Sequence, residues 1–145
     1  MLVDIVAKGG NLLLNVGPRG ADAHIPDAQL TRLGWLADWV SPNADAIFAT
    51  RPWITGGSET VEGEPVRYTA RGETVYAFVP DGKGSVTLPE VAATPTTDVT
   101  DLAGGSVAWR DTVDGLSVDR PGSTPGELVA LALHRVTAVA TGPRR

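Results

Sequence analysis

Hydrophobic and polar positions follow two different patterns along the chain. Up to about Trp53, apolar residues form a continuous run or recur at intervals of three and four residues. From about Ile54 onward they come in short segments in which apolar and polar residues alternate. The first pattern is typical of an α/β unit, and the second is typical of antiparallel sheets. The chain is therefore predicted to have two parts that meet near residue 53.

The first part reads as the end of a helix, a buried strand and a second helix. Apolar residues at 2–6 fit a helical turn that a pair of glycines ends. The run at 11–16, with three consecutive leucines, is closed by a Gly-Pro pair and predicts a strand buried on both faces. Pro26 and the helical spacing that follows predict an amphipathic helix over 26–41 with a broad buried face. Because a parallel-type strand needs hydrogen-bonding neighbours, residues 1–42 are interpreted as the closing unit of a larger α/β domain.

The second part reads as a series of short strands separated by Gly- and Asp-containing turns. The alternating segments are 66–69, 74–79, 85–88, 106–109, 115–118 and 127–136. Regularly spaced short strands of this kind predict an antiparallel β-sandwich. The fold class is therefore mainly β: a sandwich in residues 54–145, with a loose tail after Val139, preceded in residues 1–53 by one strand-helix unit and a connector.

Charge and composition argue against several classes of function. The net charge is −5, and the one basic cluster, Arg144-Arg145, is interpreted as a solvated tail, so nucleic-acid binding is not predicted. No apolar stretch reaches the roughly 20 residues needed to cross a bilayer, so no membrane partner is predicted. The start of the chain has no basic region and no cleavage site, so no signal peptide is predicted and the localisation stays open.

Metal chemistry is also not expected from the residue inventory. The chain contains no cysteine, which excludes a disulfide framework and a thiolate metal site. Its two histidines, His24 and His134, are far apart in sequence, so a histidine metal site is not predicted.

Three ordered strings in the first part carry a family resemblance. They are residues 2–18, the Ile25-Pro26 pair and residues 43–53, which runs from Asn43 through Phe48 to Trp53. Together they resemble the α-L-fucosidases of glycoside hydrolase family 29. The run 66–77 resembles the C-terminal domain of the same family more weakly, and later segments fit in layout. One departure is the loop before Ile25, where Asp22-Ala23-His24 replaces the family's usual Asp-Gly.

The resemblance implies a place for this chain within a larger enzyme. It implies a (β/α)₈ barrel followed by a sandwich, with 11–16 as the eighth barrel strand, 26–41 as the eighth helix and Met1 inside the seventh helix. The family's Asp nucleophile and acid/base carboxylate lie upstream of these strings, so no catalytic residue is assigned here. It also implies that the intact enzyme hydrolyses terminal α-L-fucosides of glycans through a covalent fucosyl-enzyme, without a metal or organic cofactor. The partner of this chain would be the missing barrel portion.

Three residues are candidates for contact with a sugar. Asn15 and Arg19 follow the predicted barrel strand, and active sites of such barrels form at the C-terminal ends of the strands. The alternative for Asn15 is that it ties down backbone groups of the turn. Trp109 lies on a predicted sandwich strand, whereas Trp35 and Trp39 have the spacing of helix neighbours and are expected to pack in a core or an interface.

A second interpretation of the whole chain belongs to a different functional class. The chain would then be a stand-alone, non-catalytic β-sandwich that binds carbohydrate or another partner. A surface platform of aromatic residues would favour this alternative, and an exposed apolar face on residues 11–41 would favour the fragment of an enzyme.

Overall fold

The structure is a computed structural model that describes residues 1–122 and 128–139. Within these residues three helices precede ten strands. The helices are α1 (Leu2–Ala7), α2 (Asp27–Val40) and α3 (Ala44–Ile47). The strands are β1 (Arg51–Glu59), β2 (Pro65–Arg71), β3 (Thr74–Pro80), β4 (Ser85–Leu88), β5 (Val91–Ala92), β6 (Asp98–Asp101), β7 (Trp109–Thr112), β8 (Gly115–Asp119), β9 (Leu128–His134) and β10 (Thr137–Ala138).

The strands form an antiparallel sandwich, as the alternating pattern predicted. A five-stranded sheet has the order β1-β2-β3-β9-β6, and a three-stranded sheet has the order β4-β8-β7. The strands β5 and β10 form a separate two-stranded sheet. Every strand pairing is antiparallel. The mainly β fold class is therefore confirmed.

The core of the sandwich comes from every second residue of the strands. Inward-facing side chains of the large sheet pack on those of the small sheet, and most of them are fully buried. The members that are at most 1% exposed are Val66, Tyr68, Ala77, Val79, Val86, Leu88, Val91, Val99, Leu116, Val118, Leu131 and Leu133. This alternation is why short segments with a period of two form these strands rather than helices.

The outer face of the large sheet is also apolar, and the helices cover it. Phe78 of β3 and Ala130 of β9 belong to a second buried cluster with Val3 of α1 and Ile47 of α3. The Trp39 ring of α2 lies 6.4 Å from the Phe78 ring. Strand β3 is therefore buried on both faces, and the protein has a helical layer outside its two β layers.

Close packing of α1 on β1 depends on a glycine. A Cβ atom at Gly56 would lie 2.9 Å from the carbonyl oxygen of Ala7, so a side chain there would displace the helix. The register of β1 against β2 also shifts between Pro52 and Gly57. Gly56 and Gly57 lie where α1 and β2 approach strand β1 closely. Strand β1 begins at Arg51, so it starts inside the region predicted to be a connector.

The prediction of a strand at 11–16 is wrong for this structure. Residues 11–16 lie in neither a helix nor a strand, and their backbone makes no backbone hydrogen bond within the described part of the chain. The physical reason is that a strand exists only through its ladder, and no partner strand for this run is present among the described residues. Leu13 and Leu14 consequently stay 84% and 50% exposed.

The predicted helix at 26–41 is confirmed as α2, with Pro26 at its N-cap position. Its predicted broad buried face is not formed, because α2 has no buried residue at all. Leu30 is 44% exposed and Trp35 is 68% exposed. A 14-residue amphipathic helix without a buried residue lacks the packing surface that normally stabilises such helices.

Most predicted strands are confirmed, and one is displaced. The segment predicted at 106–109 splits between two partners: Ser106 bridges Thr100, and regular pairing with β8 begins only at Trp109. The first residue of the segment predicted at 127–136 lies outside the described residues, and the rest contains β9. The alternating pattern of apolar and polar residues did not predict the strands β1, β5, β6 and β10. None of the helices described is both long enough and apolar enough to traverse a lipid bilayer.

Candidate functional site

The turn between residues 16 and 25, which the resemblance places at the rim of a barrel, is held by local hydrogen bonds. The Gly17 amide donates to Oε1 of Gln29 at 2.8 Å, which ties the end of the predicted strand to α2. The Arg19 amide donates to the His24 carbonyl at 2.9 Å, and the Ala23 amide donates to the Arg19 carbonyl at 2.9 Å. The turn is thus closed on itself and fixed to the first part of α2.

Asn15 does not hold this turn. Its side chain is exposed and makes no hydrogen bond within the described residues. It lines an open cavity of about 340 Å³ with Gln29 and Arg32. The residue that binds the turn amide is Gln29, so the alternative role predicted for Asn15 belongs to its neighbour. A role for Asn15 in contact with a sugar stays a prediction.

The Arg19 side chain forms an ion pair within its own loop. Its Nη2 lies 2.7 Å from Oδ2 of Asp22, and both side chains are more than half exposed. The other carboxylate oxygen of Asp22 accepts a hydrogen bond of 3.0 Å from the His24 amide. Asp22 therefore shapes the loop that departs from the family pattern. Contact between Arg19 and a sugar would require this exposed ion pair to open, and such pairs are weak.

Trp109 faces the core of the sandwich. It pairs directly with Val118 of β8, which is fully buried, and residues opposite each other in a ladder share a face. The indole is half-buried and packs against the main core. Trp109 packs against the main core, whereas Asn15 and Arg19 are exposed near the turn that precedes α2, so no described contact joins the three candidates in one site. A sugar contact at Trp109 remains a prediction.

A charged cluster anchors α1 to the large sheet. One carboxylate oxygen of Asp4 lies 2.7 Å from Nζ of Lys8, and the other accepts a 2.6 Å hydrogen bond from Nε of Arg67 on β2. Hydrogen bonds from Lys8 and from Arg67 hold the pKa of Asp4 at about 2, below its ordinary value of 3.8. Arg67 makes the long-range contact of this cluster, because it lies 63 positions from Asp4 in the sequence.

Acid should weaken this anchor between about pH 4 and pH 2. A carboxyl group whose pKa is depressed in the folded protein stabilises the fold above its unfolded pKa, and loses that effect as the pH falls through the folded pKa. We therefore expect Asp4→Asn to lower the urea midpoint at pH 6, and we expect the difference from wild type to shrink towards zero near pH 2. Asp114→Asn, in an exposed turn, serves as the control. A difference that does not change with pH would contradict this role of Asp4.

A tyrosine and a tryptophan close the core next to β1. Tyr68 is fully buried, and its hydroxyl donates to Oε2 of Glu90 at 3.3 Å. Burial raises the pKa of Tyr68, and the nearby Glu90 carboxylate raises it further. The Trp53 ring lies 5.2 Å from the Tyr68 ring. Trp53 therefore packs on the sandwich, where the two parts of the chain meet.

A cleft at the β6 edge of the large sheet was not predicted from the sequence. It has a volume of about 650 Å³ and lies between the C-terminal half of α2 and the turn after β6. Trp35, Asp38, Asn43 and Asp101 contribute to its walls. The spacing of Trp35, Asp38 and Trp39 places them on one side of the helix. This spacing is the sequence feature from which that wall of the cleft could have been predicted. No group of three or more metal-ligating side chains occurs in the residues described.

The family model and the relatives that match this chain are all α-L-fucosidases. The family model described as alpha-L-fucosidase matches residues 1–45. The alpha-L-fucosidase of Branchiostoma floridae is 34% identical over 132 residues, which cover 88% of this chain and 29% of that protein. The tissue alpha-L-fucosidase of Homo sapiens is 34% identical over 134 residues, which cover 89% of this chain and 28% of that protein.

The fold agrees with the sequence comparison. The Thermotoga maritima alpha-fucosidase, in a crystal structure with fucose, matches with a TM-score of 0.76 and 29% identity, over 90% of this chain and 32% of that one. The chain therefore spans less than a third of the length of these relatives. In sequence and in fold, this chain is similar to the C-terminal part of the α-L-fucosidases.

Proposed function

We propose that this chain acts as the C-terminal part of a retaining α-L-fucosidase that hydrolyses terminal α-L-fucosides of glycans. Its contribution is the last strand-helix unit of the barrel together with an accessory sandwich. The observation that carries the proposal is the match of about nine-tenths of this chain to α-L-fucosidases, of which it covers less than a third. The Thermotoga maritima relative binds fucose, which supports a fucosylated substrate for the intact enzyme.

The surface of the first part supports a missing partner of a particular kind. The run 11–16 presents leucines and unpaired backbone groups, and α2 has no buried residue. A parallel barrel would supply both needs, because it adds a strand at each edge of the run and a sheet surface beneath the helix. The helices α1 and α3 pack on the sandwich, and they hold the two ends of this strand-helix unit in place.

The chemistry of the proposed enzyme requires groups that this chain does not contribute. A retaining glycosidase uses two carboxyl groups roughly 5 Å apart, one as nucleophile and one as acid and base. The family resemblance places both in segments upstream of the strings found here. The role of this chain is therefore to complete and support the barrel, and the chain by itself is inactive.

The purified chain is accordingly expected not to hydrolyse an aryl α-L-fucoside. The measurement is release of 4-nitrophenol, compared with a buffer blank and with an intact related fucosidase as the positive control. Turnover that co-elutes with the chain through successive purification steps, and that an active-site inhibitor of fucosidases suppresses, would contradict the proposal.

The alternative function, a stand-alone carbohydrate-binding sandwich, receives less support from the structure. It needs an aromatic platform on the surface of the sandwich, whereas Trp109 packs against the core and Trp53 packs on Tyr68. The first part presents Leu13 and Leu14, which are 84% and 50% exposed, beside helix α2, which has no buried residue. This distribution favours a part of a larger enzyme.

A further inference from the structure

The cleft between α2 and the large sheet has the size and position of a ligand site. Its volume of about 650 Å³ lies within the range of roughly 300–1,000 Å³ that is usual for small-molecule sites. It forms where the helical layer meets the β6 edge of the sheet.

One wall of the cleft is an exposed indole. Trp35 is 68% exposed, although its helix neighbour Trp39 packs on Phe78 of the sheet. Two tryptophans one turn apart therefore have different environments: one belongs to the packed layer and the other opens to the cleft. A large aromatic surface left open beside a cavity favours stacking with the flat apolar face of a ligand.

The polar groups of the cleft are hydrogen-bond acceptors. The carboxylate of Asp38 makes no hydrogen bond or ion pair within the described residues. Oδ1 of Asp101 accepts from the Gly105 amide at 2.7 Å, which leaves its other oxygen available. The Nδ2 group of Asn43 donates to the Trp39 carbonyl at 2.7 Å, and its side-chain oxygen accepts no hydrogen bond within the described residues.

The charge of the cleft restricts the ligand further. No Lys, Arg or His lines it among the residues described, so two carboxylates set its potential. An anion would be repelled, because like charges at short range cost free energy. A purely apolar ligand would remove water from the carboxylates without replacing the lost hydrogen bonds. The ligand must therefore combine an apolar face with several hydrogen-bond donors and no negative charge.

We propose that this cleft is a non-catalytic subsite for a neutral saccharide. The C–H face of a sugar ring stacks on Trp35, and its hydroxyl groups donate to Asp38 and Asp101. The choice of a saccharide over an organic cation rests on the proposed function, in which the intact enzyme acts on glycans. The subsite would hold a part of the glycan away from the scissile bond, and it uses only residues of this chain.

The test is a titration of the isotopically labelled full chain, followed by the indole N–H signals of its four tryptophans. With fucosyllactose, the signal of Trp35 is expected to shift and saturate with a Kd of about 1 mM, and those of the packed tryptophans are expected to move less. Sialyllactose, which adds a carboxylate, should bind at least about tenfold more weakly. Tetramethylammonium tests the organic cation.

Two variants and one matched control complete the experiment. Trp35→Ala and Asp38→Asn should each weaken binding of fucosyllactose by about tenfold or more, as judged from backbone amide signals around Asp101. Phe48→Ala removes another exposed aromatic ring, outside the cleft, and should leave the affinity unchanged. If Trp35→Ala and Asp38→Asn melt at the same temperature as the unchanged chain, their weaker response reflects a loss of binding and not of folding.

Three results would overturn the inference: no shift of Trp35 up to about 50 mM fucosyllactose, binding of sialyllactose at least as tight, or a saturable response to tetramethylammonium alone. The readout is independent of catalysis. A fucosidase assembled with this chain that is active, in the absence of saccharide binding at the cleft, overturns only the subsite. Binding at the cleft together with an inactive assembled enzyme overturns the proposed function and leaves the subsite standing.

Discussion

Phe78→Ala is expected to destabilise the protein by about 3–5 kcal/mol, the usual range for loss of a fully buried phenylalanine. Phe78 is 1% exposed and lies in the middle strand of the large sheet, beneath the helical layer. Its removal leaves a cavity between β3 and α2, and the neighbouring Ala130 and Ala132 are too small to fill it. A domain of ordinary stability has only about 5–15 kcal/mol in total, so this loss would remove a large share of it.

The chain offers a matched control for this experiment, because it has only one other phenylalanine. Phe48 is 59% exposed at the end of α3, and Phe48→Ala should change the free energy of unfolding by less than about 1 kcal/mol. Urea midpoints of both variants give the comparison. Equal midpoints would show that the helices do not cover the outer face of the sheet in solution.

A double-mutant cycle with Trp39→Ala locates the cause. The Trp39 and Phe78 rings are 6.4 Å apart and tilted by 32°, which is a favourable aromatic geometry. A coupling free energy of about 0.5–1.5 kcal/mol is expected between the two substitutions. Additive effects would place α2 away from the sheet, and the cleft beside Trp35 would then lose one of its walls.

The strands that the sequence predicted best are those whose neighbours lie within the chain. The segment predicted at 74–79 became β3, Thr74–Pro80, because its apolar side chains meet inward-facing partners on one side and helices on the other. Gly72, with a φ of 59°, supplies the left-handed turn residue that joins β2 to β3. Local pattern and final packing agree there, so the prediction was confirmed.

The predictions that failed depended on contacts that local sequence does not encode. Gly56 and Gly57 belong to none of the predicted strand segments, yet they lie in β1, since α1 and Arg67 approach the strand too closely for side chains. The run 11–16 suggested a strand, but a strand needs partners and none is available to it among the described residues. The spacing of Trp35 and Trp39 suggested shared packing, whereas only one of the two rings reaches the sheet.

The second large expected effect concerns Leu13 in the run 11–16. It differs between the isolated chain and a complete barrel. Leu13 is 84% exposed in this chain, so Leu13→Asp should leave the melting temperature of the isolated chain nearly unchanged. Inside a complete barrel the run 11–16 would be a strand with both faces covered. A buried, unpaired carboxylate at that position would then cost several kcal/mol and prevent the barrel from closing.

The most direct measurement is the α-L-fucosidase activity of a chimera. It joins the part of the Thermotoga maritima enzyme that precedes its matched region to residues 1–145 of this chain, at the helix that corresponds to α1. If this chain completes the barrel, the chimera hydrolyses an aryl α-L-fucoside at least about 100-fold faster than the unjoined enzyme part, since misplacement by about 1 Å alone costs on the order of 10²-fold. Leu13→Asp abolishes that activity while it leaves the isolated chain folded. A soluble, folded chimera without activity, or one that tolerates Leu13→Asp, would contradict the assignment of residues 11–41 to the end of a catalytic barrel.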